Sequence, residues 1–161
     1  SRRNRPEPKS VDLNDLLESA IEILEHELAS GNVAVSKNLS SGLPIMRIDP
    51  HQMQQVFLNI ISNAKQATLD RPDGAQLSVS TELVNNQVRI HFEDNGCGIA
   101  SEDLPNIFNP FFTTKPVGAG TGLGLSLSYG IVREHGGRIY AESRPGEGAV
   151  FTIELPVNPS G

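Results

Sequence analysis

Two runs of alternating apolar residues, Leu77-Val79-Thr81-Leu83 and Val88-Ile90-Phe92, flank the pair Asn85-Asn86. Alternation at period two marks strands with one buried face. A two-residue Asn pair between them suits the left-handed backbone of a tight hairpin turn. The second run keeps its parity past the last aromatic. Asp94 therefore shares the face of Val88, Ile90 and Phe92, while His91 and Glu93 point the other way. An inward carboxylate is costly unless donors meet it, so Asp94 is a candidate for recognition. His91 reads as an ordinary surface residue.

The remaining elements arrange themselves around that hairpin. Residues 1–10 are basic, Pro-containing and aperiodic, and read as a linker; 158–161 read as a tail, leaving one domain over 11–157. From Asp12, a suitable N-cap, Leu13, Leu16, Leu17, Ala20, Ile21, Leu24 and Leu28 follow helical spacing up to Gly31. Val33 and Val35 suggest a strand, and 45–48 a second short one. Asp49-Pro50, with Gln52 three residues after the cap, opens another helix whose apolar face is Met53, Val56, Phe57, Ile60, Ile61 and Ala64. Residues 95–122 are rich in Gly and Pro, with one turn of helix near 103–108; such a long loop inside a compact domain is usually functional. A third helix follows at about 123–135, stopped by Gly136-Gly137, and strands at 138–143 and 149–155 close the chain. Strands and helices are segregated, which predicts an α+β two-layer sandwich and not an alternating doubly wound sheet.

Charge and cysteine usage narrow the function classes. The net charge of -6 excludes a global electrostatic grip on nucleic acid, so any bound polyanion must be held by local geometry. No apolar run approaches the length of a spanning helix. Cys97 is the only cysteine, which precludes an internal disulfide and fits a reducing, cytoplasmic compartment.

Four clusters carry chemistry. Gln55, Asn59, Asn63 and Gln66 recur at helical spacing beside the apolar stripe. Solvated faces favour Lys and Glu, so half-buried amides suggest a pocket lining, and an Asn oxygen suits Mg²⁺. Asp94 is followed by Gly96 and Gly98, whose missing side chains would let a flat ligand approach the backbone. The cluster Gly118-Ala-Gly120-Thr121-Gly122-Leu123-Gly124 opens the third helix, where N–H groups make a phosphate site. Its spacing matches neither the dinucleotide nor the P-loop fingerprint. Finally, Phe108-Asn-Pro-Phe111-Phe112-Thr-Thr114-Lys115 holds three of the chain's six Phe and reads as a lid, with Lys115 as a cation for phosphate.

In this order the four clusters resemble the boxes of the GHKL ATP-binding superfamily, and within it the sensor histidine kinases. The N box looks like 55–64, the first glycine box like 94–99, the F box like 108–112 and the second glycine box like 120–126. The run Gly146-Glu-Gly148-Ala-Val-Phe151-Thr152-Ile-Glu-Leu155-Pro156 is also family-like, and the details at 63–67 and 113–115 look most like the nitrogen- and dicarboxylate-sensing branch. The resemblance implies a Bergerat fold: a mixed, mostly antiparallel sheet of about five strands with three main helices on one face. It implies ATP and Mg²⁺ as cofactors, Asn63 as the metal ligand and Asp94 as the contact to the adenine amino group. Asn59, Lys65, Gly96, Gly98, Ile99, Phe112, Thr114, Lys115, Gly120, Thr121, Gly122, Leu123, Gly124 and Thr152 complete the implied nucleotide site, with Asn59, Asn63 and Lys115 in catalysis. Two positions depart from the pattern. Ala149 stands where Thr is frequent, and Gln66 stands where a basic residue is frequent, with Lys65 one earlier.

Position 59 discriminates within the superfamily. The GHKL ATPases and anti-sigma serine kinases resemble one another in placing a Glu base four residues before the metal Asn. Here it is Asn59, and an amide takes up no proton near pH 7. A neutral imidazole needs no strong base to act as a nucleophile. The resemblance therefore implies phosphoryl transfer to a histidine on a separate dimerisation domain, with a response-regulator receiver downstream and a monomeric isolated domain. The alternatives are a stand-alone ATPase or serine kinase, and a pseudokinase module that only binds. His26-Glu27-Leu28 mimics the start of an acceptor box, but the usual Pro is missing, and His26 lies about 200° round the helix from Leu24. The acceptor is expected to precede Ser1. Whether the parent protein is membrane-bound is left open.

Overall fold

The computed structural model describes residues 5–71, 74–112 and 124–158. Five strands form one sheet in the order β2-β4-β5-β7-β6. They are β2 (Val33–Asn38), β4 (Ala75–Val84), β5 (Gln87–Asp94), β6 (Arg138–Ser143) and β7 (Ala149–Pro156). Only β2 and β4 run parallel; the other neighbours are antiparallel. The β4–β5 hairpin turns on Asn85 and Asn86, both with positive φ (49° and 65°), and registers Val84 against Gln87. That is the geometry the Asn pair predicts.

Helices cover one face. α3 (Pro50–Ala67) lies across the sheet and buries Met53, Val56, Phe57, Ile60, Ile61 and Ala64. These meet Leu77, Val79, Ile90, Phe92, Phe151 and Ile153, with the Phe57 and Phe92 rings 6.0 Å apart. α4 (Gly124–Glu134) packs beside α3 through Ser128 and Val132. The two-layer sandwich stands as the sequence implies, but with four α-helices among the described residues instead of three. The first apolar repeat breaks at Leu24 into α1 (Leu13–Ile23) and α2 (Glu25–Ser30), with no Gly or Pro at the break. Part of the segment read as linker is also ordered. β1 (Lys9–Val11) pairs antiparallel with β3 (Met46–Ile48).

Asp49 joins three of these parts. As the N-cap of α3 it accepts the Gln52 N–H (3.0 Å), and its other oxygen accepts the Glu7 N–H (2.8 Å) from the entry segment. Its own N–H donates to His135 Nε2 (3.1 Å) just beyond α4, so the ring proton lies on Nδ1, which bonds the Ile131 carbonyl (2.8 Å). Burial alone would raise the Asp49 pKa; the N–H groups of Glu7, Gln52 and His51 outweigh it and hold the carboxyl below the ordinary carboxylate range. A depressed folded pKa contributes stability above the unfolded pKa, and that stability is lost as pH falls through the folded value. Asp49→Ala should therefore lower the unfolding free energy by about 1–2 kcal/mol at neutral pH. In urea titrations the gap from wild type should close only below the pH at which ordinary carboxylates titrate.

Candidate functional site

Asp94 ends β5 on the inner sheet face and is only 5% exposed. Its carboxylate accepts the Gly96 N–H (2.8 Å) and faces the N–H of Ala149, its cross-strand neighbour. Burial raises its pKa despite these donors, with a smaller push from Glu93. A desolvated, partly satisfied anion of this kind is poised to accept a further hydrogen bond from a ligand amine.

The loop after Asp94 is clamped between a helix and a hairpin. Cys97 N–H donates to the Ala67 carbonyl at the end of α3 (3.0 Å), and the Cys97 carbonyl accepts the Gly146 N–H (2.7 Å). Ile99 N–H donates to Ser143 Oγ (2.7 Å), whose proton goes to the Gly148 carbonyl (2.7 Å). Arg71 reaches the Gly146 carbonyl from the far end of the helix turn (3.0 Å). The expectation that Gly96 and Gly98 open the backbone to a flat ligand is corrected by this packing. A side chain at Gly96 would strike the Ala67 carbonyl, and one at Gly98, where φ is +74°, would strike the Arg144 carbonyl. What comes close at both glycines is protein, and their role is to seat the loop that presents Asp94. Ser143 and Ala67 were not legible as site residues, because a lone Ser and a helix-terminal Ala carry no pattern.

Four residues separate Asn63 from Ala67, a rise of about 6 Å along α3. The clamped loop thus brings the Asp94 end of β5 next to the amide flank of the helix. Asn59 and Asn63 lie on the flank facing α4. Asn59 Nδ2 donates to the Gly124 carbonyl (3.2 Å) and to Ser128 Oγ (3.3 Å). Asn63 is half-buried, and no partner among the described residues occupies its amide. Lys65 does not join them. Two residues beyond Asn63 it is turned about 200° round the helix, and its stem lies against Gly31 at the end of α2. Its expected place at a phosphate is corrected accordingly.

On the lid side, a short 3-10 turn at Leu104–Asn106 precedes the aromatic cluster. Phe108 docks edge-on against Phe151 of β7 (6.4 Å) and lies tilted at 36° against Tyr129 of α4 (5.6 Å). Phe112 is half-buried against the core, whereas Phe111 is exposed with φ +67°. Thr114, Lys115, Gly120, Thr121, Gly122 and Leu123 lie outside the described residues.

Thr152 is corrected on parity. It pairs with His91 and Tyr140, on the sheet face opposite Asp94 and the helices. Its hydroxyl bonds His91 Nδ1 (3.0 Å), and His91 Nε2 bonds Glu82 (2.8 Å). His91 is therefore tied into the open face and not merely a surface residue. Beside it, buried Glu154 meets Arg89 (3.0 Å), Arg138 (3.3 Å) and the Tyr140 hydroxyl (3.0 Å). Arg138 and Tyr140 hydrogen-bond to the Glu154 carboxylate, whereas Arg89 Nε lies within ion-pair distance of it but makes no hydrogen bond among the described residues, all on the face away from the site.

Comparison with known proteins agrees with this geometry. The profile of the family described as histidine kinase-, DNA gyrase B-, and HSP90-like ATPase matches residues 48–159. Sensor histidine kinase ZraS of Klebsiella oxytoca is 38% identical over 93% of the chain, which spans 32% of that protein. The catalytic domain of histidine kinase ThkA superposes with a TM-score of 0.82 at 32% identity, covering 94% of this chain and 96% of that one. ThkA has also been solved in complex with the response regulator TrrA (TM-score 0.81, 29% identity, 96% of this chain and 43% of that one). Full-length ShkA in complex with AMPPNP gives a TM-score of 0.84 at 25% identity, over 96% of this chain and 32% of that one. The chain belongs to the histidine kinase-, DNA gyrase B- and HSP90-like ATPase family, and within it to the catalytic domains of sensor histidine kinases.

Proposed function

We propose that this domain binds Mg·ATP between α3, α4 and the loop after β5, and donates the γ-phosphoryl group to a histidine on a separate dimerisation domain. The observation that carries this reading is the Asn59 amide. It stands where a hydrolytic base would be needed, and its NH₂ is already committed to Gly124 and Ser128. A side chain that takes up no proton, held in that orientation, does not activate water. The acceptor imidazole instead attacks the γ-phosphorus through its own lone pair as the β–γ bridging bond breaks and ADP leaves. The chain's part is to position and to neutralise.

In this reading Asp94 accepts the adenine amino proton, and Ile99 and Phe112 line the pocket. The N–H groups at the start of α4, with residues 120–124, receive the phosphates. The half-buried Asn63 amide, which has no partner among the described residues, fits Mg²⁺ in its charge and hardness and would hold it. When bound, the ion neutralises charge on the β- and γ-phosphates. Lys115 is the cation this reading assigns to the γ-phosphate. AMPPNP in ShkA and TrrA on ThkA support a triphosphate ligand and a response-regulator partner. The isolated domain acts as a monomer in the cytoplasm. No helix among its described residues is long and apolar enough to cross a membrane.

Mixing the chain with Mg·ATP and a matching acceptor domain should yield acid-labile phosphohistidine on that domain. Release of free phosphate as the main product, with no protein-bound label, would contradict the proposal. A second test uses Asp94→Asn, which keeps the shape and an acceptor for Gly96 but removes the buried charge. Mg·ATP affinity, read by calorimetry, should fall about 10- to 150-fold, the worth of a charged hydrogen bond at roughly 1.5–3 kcal/mol. Because the folded pKa of Asp94 is raised, its charging opposes folding as pH rises from the unfolded pKa through the folded one. The unliganded variant should therefore melt no lower than wild type at neutral pH. Undiminished affinity would remove Asp94 from the base contact. In wild type, affinity should weaken on acidification at a pH above the ordinary Asp range, where Asp94 takes up its proton.

A further inference from the structure

We propose that Ser128 is a positioning residue, which with the Asn59 amide fixes the start of α4 and so sets where the phosphate end of the nucleotide binds. The inference rests on the nucleotide reading above. Ser128 is fully buried on α4, one turn before Val132, in the seam against α3. Its hydroxyl donates to the Gly124 carbonyl (2.9 Å) and accepts from Asn59 Nδ2 (3.3 Å), while the same Nδ2 reaches the Gly124 carbonyl (3.2 Å). A helical Ser closing on the carbonyl four residues back is ordinary. The third member, an amide from the neighbouring helix, is what makes a tether between elements. An alanine would fill this seam without a buried hydroxyl to satisfy.

The cluster also fixes the sense of the Asn59 amide. Flipping it would place Oδ1 against the Gly124 carbonyl, acceptor against acceptor, so the NH₂ must face α4. Oδ1 is left as the end available to a ligand's donors, such as water carried by a divalent cation. The first described turn of α4, beginning at Gly124, is thereby held to the helix that bears Asn63. Asn59 thus has two ends with two tasks; the Gly124 carbonyl decides which end faces α4, and Ser128 holds that carbonyl and the amide together.

The deciding variant is Ser128→Ala, which adds no atom to the seam. Binding of Mg·ATP and of adenosine to the 161-residue chain would be measured by chemical-shift titration, with melting temperature alongside. The dissociation constant for Mg·ATP should rise about 5- to 10-fold, the loss expected for one buried hydrogen bond. That for adenosine, which lacks the phosphates, should stay within ~2-fold. Asn59→Asp, which sets an acceptor against the Gly124 carbonyl, should show the same split more strongly. Ser128→Ala added to Asn59→Ala should cost nothing further, because the tether is already gone. Equal losses for both ligands would reduce Ser128 to a packing residue and overturn the proposal, as would wild-type affinity for both. If the wild-type chain bound neither ligand, the nucleotide reading itself would fall, and this inference with it.

Discussion

The burial of one flank of α3 against the inner sheet face governs the remainder of the structure. Met53, Val56, Phe57, Ile60, Ile61 and Ala64 have no freedom to rotate away from Phe92, Phe151 and Ile153 without emptying the core. Once that rotation is set, helical geometry places Asn59 and Asn63 on the flank toward α4 and Lys65 on the flank toward α2. The C-terminal carbonyl of α3 at Ala67 then meets the loop from β5. The positions of the polar groups that α3 brings to the site follow from how its hydrophobic face sits on the sheet.

The loop from β5 shows how a buried charge is tolerated. Asp94 occupies a slot that alternation reserves for an apolar side chain, and two backbone N–H groups offset its desolvation only in part. The glycines beside it let protein close around the carboxylate from α3 on one side and the β6–β7 hairpin on the other. A ligand amine could supply what the backbone leaves undone. Stability is traded locally for a group that binds, as functional sites commonly require.

Much of this was legible in the sequence. The inward parity of Asp94, the hairpin turn at Asn85-Asn86 and the Asp49 cap each follow from a local rule that tertiary contacts did not override. The misses have physical causes too. The break at Leu24 carries no Gly or Pro, so the apolar repeat reads through it as one helix. β1 lies in a basic, Pro-containing stretch and is a strand only because β3, some 35 residues later, offers it an edge. Lys65 shares a segment with Asn63, but proximity in sequence is not proximity on a helix surface. Thr152 was carried in by resemblance, although alternation from Phe151 alone puts it on the other face. The Ser128 tether had no signal, since a hydroxyl's partner on another helix is set by packing and not by spacing.

The central claim is that a metal-bound nucleotide lies on the amide flank of α3, and paramagnetic relaxation tests it most directly. Mn²⁺ would replace Mg²⁺ in a complex of the isotopically labelled chain with ATP, and side-chain amide and backbone signals would be followed as it is added. The account predicts that the Asn59 and Asn63 amide signals and the Gly124 N–H broaden first, while His91, Thr152 and the rest of the open sheet face are spared. Broadening centred on the open face, or none near α3, would contradict it.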